Sequence, residues 1–167
     1  MRRNLKFHDL SQVDRQLVEM ALSASRSAYA PYSGFAVGAA VRCSSGELYV
    51  GANLENASYG LSTCAEVSAI AAANTSGSLN IDTIAVVGHQ TRPSDDGSRV
   101  VVPCGRCRQV IAEVAQISNY DIRVLSCSGD LSRVVEARIS ELLPEAFGPE
   151  SLGLVEAATV KKVAIGG

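Results

Sequence analysis

Three cysteines in two short segments limit what this chain can fold into. Cys64 stands in Thr63-Cys64-Ala65-Glu66, and Cys104 and Cys107 stand in Pro103-Cys104-Gly105-Arg106-Cys107. Their spacing is that of metal ligands, and one ion shared between them would tie the two segments together. Three protein ligands leave one position open on a tetrahedral zinc, which suits a catalytic site better than a structural one. Glu66, two residues past Cys64, stands where a carboxylate could shuttle protons for an activated water. The chemistry such a set points to is hydrolytic or deaminating.

Other readings of the same residues stay open at this level. A CxxC entering a helix also resembles a redox pair. His89 could complete a structural zinc site, and Glu66 could be a plain surface residue of a helix.

The chain has 167 residues, 47% of them hydrophobic and 19% charged. That is long enough for one domain with a full hydrophobic core. A net charge of −2 argues against a dedicated nucleic-acid groove. No stretch reaches the length of a membrane span. The start Met1-Arg2-Arg3 is basic, but no apolar run follows it as in a secretory leader. Thiols that bind metal must stay reduced, so a cytoplasmic setting is expected. Cys43 and Cys127 lie in apolar, strand-like stretches and read as buried, inert thiols.

Helical periodicity over residues 9–29 places Leu10, Val13, Leu17, Met20, Ala21, Ala24 and Ala28 on one face. Asp9 or Ser11 could cap its start, and Pro31 sets its end. Residues 36–43 and 47–52 read as strands joined by a hairpin turn at Ser44-Ser45-Gly46. Residues 64–75 are alanine-rich and helix-favouring. The apolar run 82–88 reads as a buried strand, and the polar segment 89–99 as a mobile loop. A helix over 105–115, strands over 121–127 and 132–135, and a short helix over 139–143 stopped by Pro144 follow. The alternation predicts an α/β sandwich. Cys64 and Cys104 then begin two helices, whose free N–H groups favour thiolates. Cys107 lies one turn along from Cys104 and faces the same way.

With these motifs in view, the chain resembles the small, single-domain cytidine deaminases. The resemblance is carried in order by five segments: 29–35 (Tyr-Ala-Pro-Tyr-Ser-Gly-Phe), 53–60 (Asn-Leu-Glu-Asn-Ala-Ser-Tyr-Gly), Thr63 to Glu66, Pro103 to Val110, and 141–149 (Glu-Leu-Leu-Pro-Glu-Ala-Phe-Gly-Pro). It implies a three-layer α/β/α sandwich around a mixed five-stranded sheet. The catalytic domain would span residues 1–152, with a tail of unknown role over 153–167. It implies zinc on Cys64, Cys104 and Cys107, with Glu66 moving protons from water to N3 of the ring and to departing ammonia, as in zinc-dependent base deaminases generally. Asn53 and Glu55 would hold the ribose 3′-hydroxyl, a buried pair that rejects a substrate lacking it. Phe35 would wall the base pocket and Ala57 would offer backbone contacts. Tyr59 and Phe147 would reach sites shared between subunits of a homotetramer, and Gln109 would support its helix. The implied reaction converts cytidine and deoxycytidine to uridine and deoxyuridine, as in pyrimidine salvage.

One position departs from the pattern. Val67 stands where the usual small deaminase has an arginine beside the thiolates. Three thiolates on Zn²⁺ leave −1, and one cation at about 4 Å and an effective dielectric near 20 is worth about 4 kcal/mol. Arg106, inside the CxxC, is expected to supply that charge from the other helix. The combination of Val67 and Arg106 also resembles blasticidin S deaminases. Deaminases of N4-substituted cytidines and a non-catalytic nucleoside-binding zinc protein are the further alternatives.

Overall fold

In a computed structural model, residues 2–91 and 97–154 are described. The tail reading for residues 155–167, and the part of the loop reading that covers residues 92–96, lie outside the described residues. A six-stranded sheet runs in the order β1 (Arg3–Leu5), β6 (Val134–Arg138), β5 (Arg123–Ser128), β4 (Ile81–Gln90), β2 (Phe35–Cys43) and β3 (Leu48–Ala52). Among the described strands of this sheet, β4 and β5 form the parallel pair; the other neighbours are antiparallel. The parallel pair needs a crossover, and helix α3 (Gly105–Ser118) supplies it.

Helix α1 (Gln12–Ser25) covers one face of the sheet. Its Leu17, Val18 and Ala21 pack on Ala40, Ala85, Val87, Leu125 and Cys127. Helix α2 (Ala65–Thr75) and α3 cover the other face. There Ala65, Ala69, Ala73, Ile111 and Val114 meet Ala39, Val41, Ile84, Val86 and Val124. Alternate strand residues thus feed opposite cores, as the period of two requires. The short helix α4 (Ile139–Leu142) follows β6. The sandwich is the predicted one, with a sixth strand beyond the five expected.

The helix expected over 9–29 is shorter at both ends. Asp9 belongs to a separate 3₁₀ turn, and Ser11 is the cap, accepting a hydrogen bond from Asp14 N at 3.1 Å. The helix ends at Ser25, and backbone turns over 26–28 follow it. Val13, expected on the apolar face, is 52% exposed, and Val18 is buried instead. Strand β4 also runs on through His89 and Gln90, which were expected to be loop.

Gly51 on β3 places α2. A Cβ there would lie 2.3 Å from Ala69 N and 2.7 Å from Ala65 O. No side chain fits, so the alanine-lined face of α2 rests directly on the strand. That close approach fixes the first turn of α2, which carries the reactive residues.

Candidate active site and metal centre

Cys64 is the N-cap of α2 and Cys104 the N-cap of α3. Both have extended backbone, and their carbonyls accept the first helical bonds, from Ser68 N at 3.1 Å and Arg108 N at 2.9 Å. Two helix starts therefore converge on one point, and their N–H ends favour negative charge there. Cys64 Sγ and Cys104 Sγ are 4.0 Å apart, and Cys104 Sγ and Cys107 Sγ 3.5 Å. All three sulfurs lie within 4.8 Å of one another. Tetrahedral zinc with Zn–S near 2.3 Å needs sulfurs about 3.8 Å apart. The cluster fits zinc in spacing and in ligand softness.

Hydrogen bonding acts in opposite senses on the Cys64 and Cys107 thiols. Hydrogen bonding from Cys107 brings the Cys64 thiol down to about 6, against burial and the Glu66 charge, with smaller help from Cys104 and Arg106. Cys107 moves the other way, raised by that same bond to Cys64 and by burial. Cys127 is pushed up to about 12 by burial, which agrees with an inert thiol. The third sulfur turns the CxxC from a redox pair into part of a metal set. His89 is not in that set. It sits on the α1 side, with Nε2 3.3 Å from Ser25 Oγ, so a structural zinc completed by His89 is ruled out.

Glu66, in the first turn of α2, is only 4% exposed. Burial raises its carboxyl, while backbone hydrogen bonding and Cys107 oppose the rise. This is no surface carboxylate. It lines a cavity of about 300 Å³ together with Cys64, Cys104, Phe35, Asn53 and Glu55.

Asn53 and Glu55 reach that cavity through a short strand-like segment. Leu54 N and O bond Thr63 O and N, both at 2.9 Å, while Asn53 O and Glu55 N bond Tyr29 at 3.0 and 2.8 Å. The segment is thus held between the end of the α1 connection and the residue before Cys64. Leu54 points outward and is exposed; its two neighbours line the cavity.

The Asn53 side chain also ties the cavity wall to β2. Its Oδ1 accepts from Val37 N at 2.8 Å, and its Nδ2 donates to Phe35 O at 3.0 Å. One N–H and one lone pair remain for a ligand. Glu55 Oε2 accepts from Tyr32 N at 2.9 Å and Ser33 N at 3.2 Å. The Ser33 side chain, with these backbone N–H groups, holds its carboxyl below the usual range.

Arg106 is exposed, and its Nη1 donates to Ser62 O at 3.3 Å. It therefore bridges α3 to the segment leading into Cys64. Tyr59 is 74% exposed and stands edge-on to Tyr32, with ring centroids 5.7 Å apart. It lines an adjoining cavity that shares Ser33, Glu55 and Ser62 with the first. Ala57 and Phe147 are exposed and line neither cavity. Gln109 Nε2 donates to Phe147 O at 2.7 Å, so Gln109 anchors the Phe147 segment as well as belonging to its helix.

The sequence reading missed part of the lining: Ser33, Val37, Ser62, Thr63, Val101 and Val102. Ser33 and Thr63 stand inside the quoted motifs without a role assigned to them, and the signal for the others is closeness in sequence to a motif residue. Among the described residues, no helix is long and apolar enough to cross a membrane.

A mixed sheet between helix layers, with three thiols and a buried glutamate at two helix starts, defines a zinc-dependent deaminase fold and site. Residues 11–120 match the family described as the cytidine and deoxycytidylate deaminase zinc-binding region, and the chain belongs to that family. It is 42% identical over 141 residues to a cytidine deaminase of Halalkalibacterium halodurans, covering 84% of this chain and 98% of that one. It is 36% identical over 142 residues to a blasticidin-S deaminase of Bacillus cereus, covering 84% and 96%. A solved cytidine deaminase from Burkholderia pseudomallei superposes with a TM-score of 0.69 at 37% identity, covering 83% of this chain and all of that one.

Proposed function

We propose that this chain hydrolyses the exocyclic amine of cytidine and deoxycytidine, giving uridine or deoxyuridine and ammonia. The observation that carries the reading is the buried Glu66 in one cavity with Cys64 and Cys104, two of the three clustered thiols. Cys64, Cys104 and Cys107 would hold zinc, which supplies the Lewis acidity that makes water nucleophilic near neutral pH. Glu66 accepts a proton from the attacking water and delivers it to N3 of the ring. A second transfer through the same carboxylate goes to the departing amine, so one water is consumed for each ammonia released. Burial excludes bulk water from the carboxylate and strengthens its interactions.

Asn53 and Glu55 orient the sugar. Their backbone tethers limit them to a few free atoms, so the ribose 3′-hydroxyl is held by pre-organised groups. Phe35 walls the base. Ala57, Tyr59 and Phe147 stand outside this cavity and serve the substrate in a homotetramer, where a second copy closes the site. Exposed Tyr29, Leu54, Tyr59 and Leu61 support such a covered surface. Residues 1–152 form the catalytic domain. A cytoplasmic setting suits three thiols that must stay reduced.

Arg106 compensates the thiolate charge in place of the arginine absent at Val67. Its bond to Ser62 O supports this. The same pair of residues, with the relative from Bacillus cereus, favours a second reading, a deaminase of blasticidin S or N4-substituted cytidines. The test is a substrate panel on zinc-loaded protein: cytidine, deoxycytidine, cytosine, blasticidin S and an N4-substituted cytidine. Highest kcat/KM on the two plain nucleosides supports the first reading. Highest kcat/KM on a modified nucleoside transfers the weight to the second.

A further inference from the structure

Along the face of β4 that meets α2 and α3, the residues are Ile84, Val86 and then Gly88. The branched series stops where the cavity begins. Gly88 is buried and pairs with Val37 on β2. It is not among the glycines with left-handed backbone, so conformation does not require glycine there. Space does. A Cβ would lie 2.9 Å from Phe35 Cε1, 2.9 Å from Val101 Cγ2 and 3.2 Å from Val37 Cγ2. All three of those side chains line the cavity that holds Glu66.

We propose that Gly88 is a positioning residue for the base wall: its missing side chain lets Phe35 and Val101 lie back against the sheet, which sets the width of the base-binding end of the cavity. It acts through those two side chains and touches no substrate itself. The inference rests on the deaminase reading and assigns that reading's base wall to a third, hidden residue. An added methyl cannot push the strand away, because β4 is paired on both sides. The ends of Phe35 and Val101 must move instead, and the open direction is the cavity.

The test compares zinc-loaded parent, Gly88→Ala, Val101→Ala and the double variant. KM for cytidine and the inhibition constant for uridine are read with zinc content and melting temperature. Glycine weakens a strand interior, so alanine at 88 is expected to leave melting and zinc nearly unchanged. Both constants are expected to rise roughly tenfold, with kcat within about threefold. The double variant, which removes the Val101 contact but keeps the equal one to Phe35, is expected to recover about threefold of the tenfold loss relative to Val101→Ala alone. Unchanged constants in Gly88→Ala, or no recovery in the double variant, overturn the inference while the deaminase reading stands. A parent that turns over no cytosine nucleoside overturns both.

Discussion

Cys64 Sγ and Cys104 Sγ lie 4.0 Å apart although 40 residues separate them in the chain. The two sulfurs meet because each caps a helix laid on the same sheet face, one starting after β3 and the other after β4. Metal binding should therefore depend on both helices together. Cys104→Ser is expected to weaken zinc binding at least a hundredfold and to abolish turnover, since two sulfurs remain. Metal analysis after dialysis against a mild chelator checks this.

Glu66→Gln keeps the volume and removes the proton carrier. The variant should bind zinc fully and lose on the order of 10²–10⁴ in kcat. Loss of zinc along with activity would instead assign Glu66 to holding the cluster together.

Arg106→Ala should lower zinc retention and activity together, and Arg106→Lys should restore part of each. A fully zinc-loaded, normally active Arg106→Ala protein would remove the charge-compensation role.

Gly51→Ala sets a methyl against the backbone of α2 at Ala69 N and Ala65 O. Backbone cannot swing aside as a side-chain end can. The cost should be about 3 kcal/mol, read as a lower midpoint in urea, with weaker zinc binding because the first turn of α2 shifts.

At the other end of the strands, a charge network binds α1 to the sheet. Asp14 accepts from Arg123 at 3.1 Å and from Arg42 at 3.2 Å, and Glu136 accepts from Arg3 at 2.7 Å. Burial acts to raise Asp14, but bonds from Arg123 and Ser11 and the two arginine charges outweigh it and hold the carboxyl low. Glu136 is held low likewise, by Arg3 and Arg123 against burial. A depressed carboxyl contributes stability above its unfolded value and loses it as pH falls. Stability should thus be full above about pH 5, past the unfolded carboxylate range, and decline as pH falls through the lowered folded values of these two groups. Urea titrations at several pH values should show this decline, and Asp14→Asn should flatten it. Asp14→Asn should also cost about 1 kcal/mol at neutral pH, because Arg42 keeps Asp82 and Arg123 keeps Glu136.

The thiol cluster and Glu66 were legible in the sequence because metal ligation demands few residue types at short spacing. Strand β1 was not, since Arg3, Asn4 and Leu5 show too little alternation to mark an edge strand. Val13 was misplaced because the apolar periodicity of α1 also fits a frame rotated by a few residues. The buried charge of Asp14 was hidden for a related reason: its partners Arg42 and Arg123 lie 28 and 109 residues away. Asn53 was read as a substrate group, and its bonds to β2 depend on a pairing that sequence spacing does not reveal. The role of Gly88 needed the positions of Phe35 and Val101, which come from different elements.

The most direct measurement follows ultraviolet absorbance of cytidine incubated with zinc-loaded protein, with Glu66→Ala as control and ammonia measured at the end point. Conversion to uridine with one ammonia per nucleoside by the parent chain, and none by the zinc-loaded control, is the predicted result. Conversion that persists undiminished in Glu66→Ala, or nucleoside binding without ammonia release by the parent, would contradict the account.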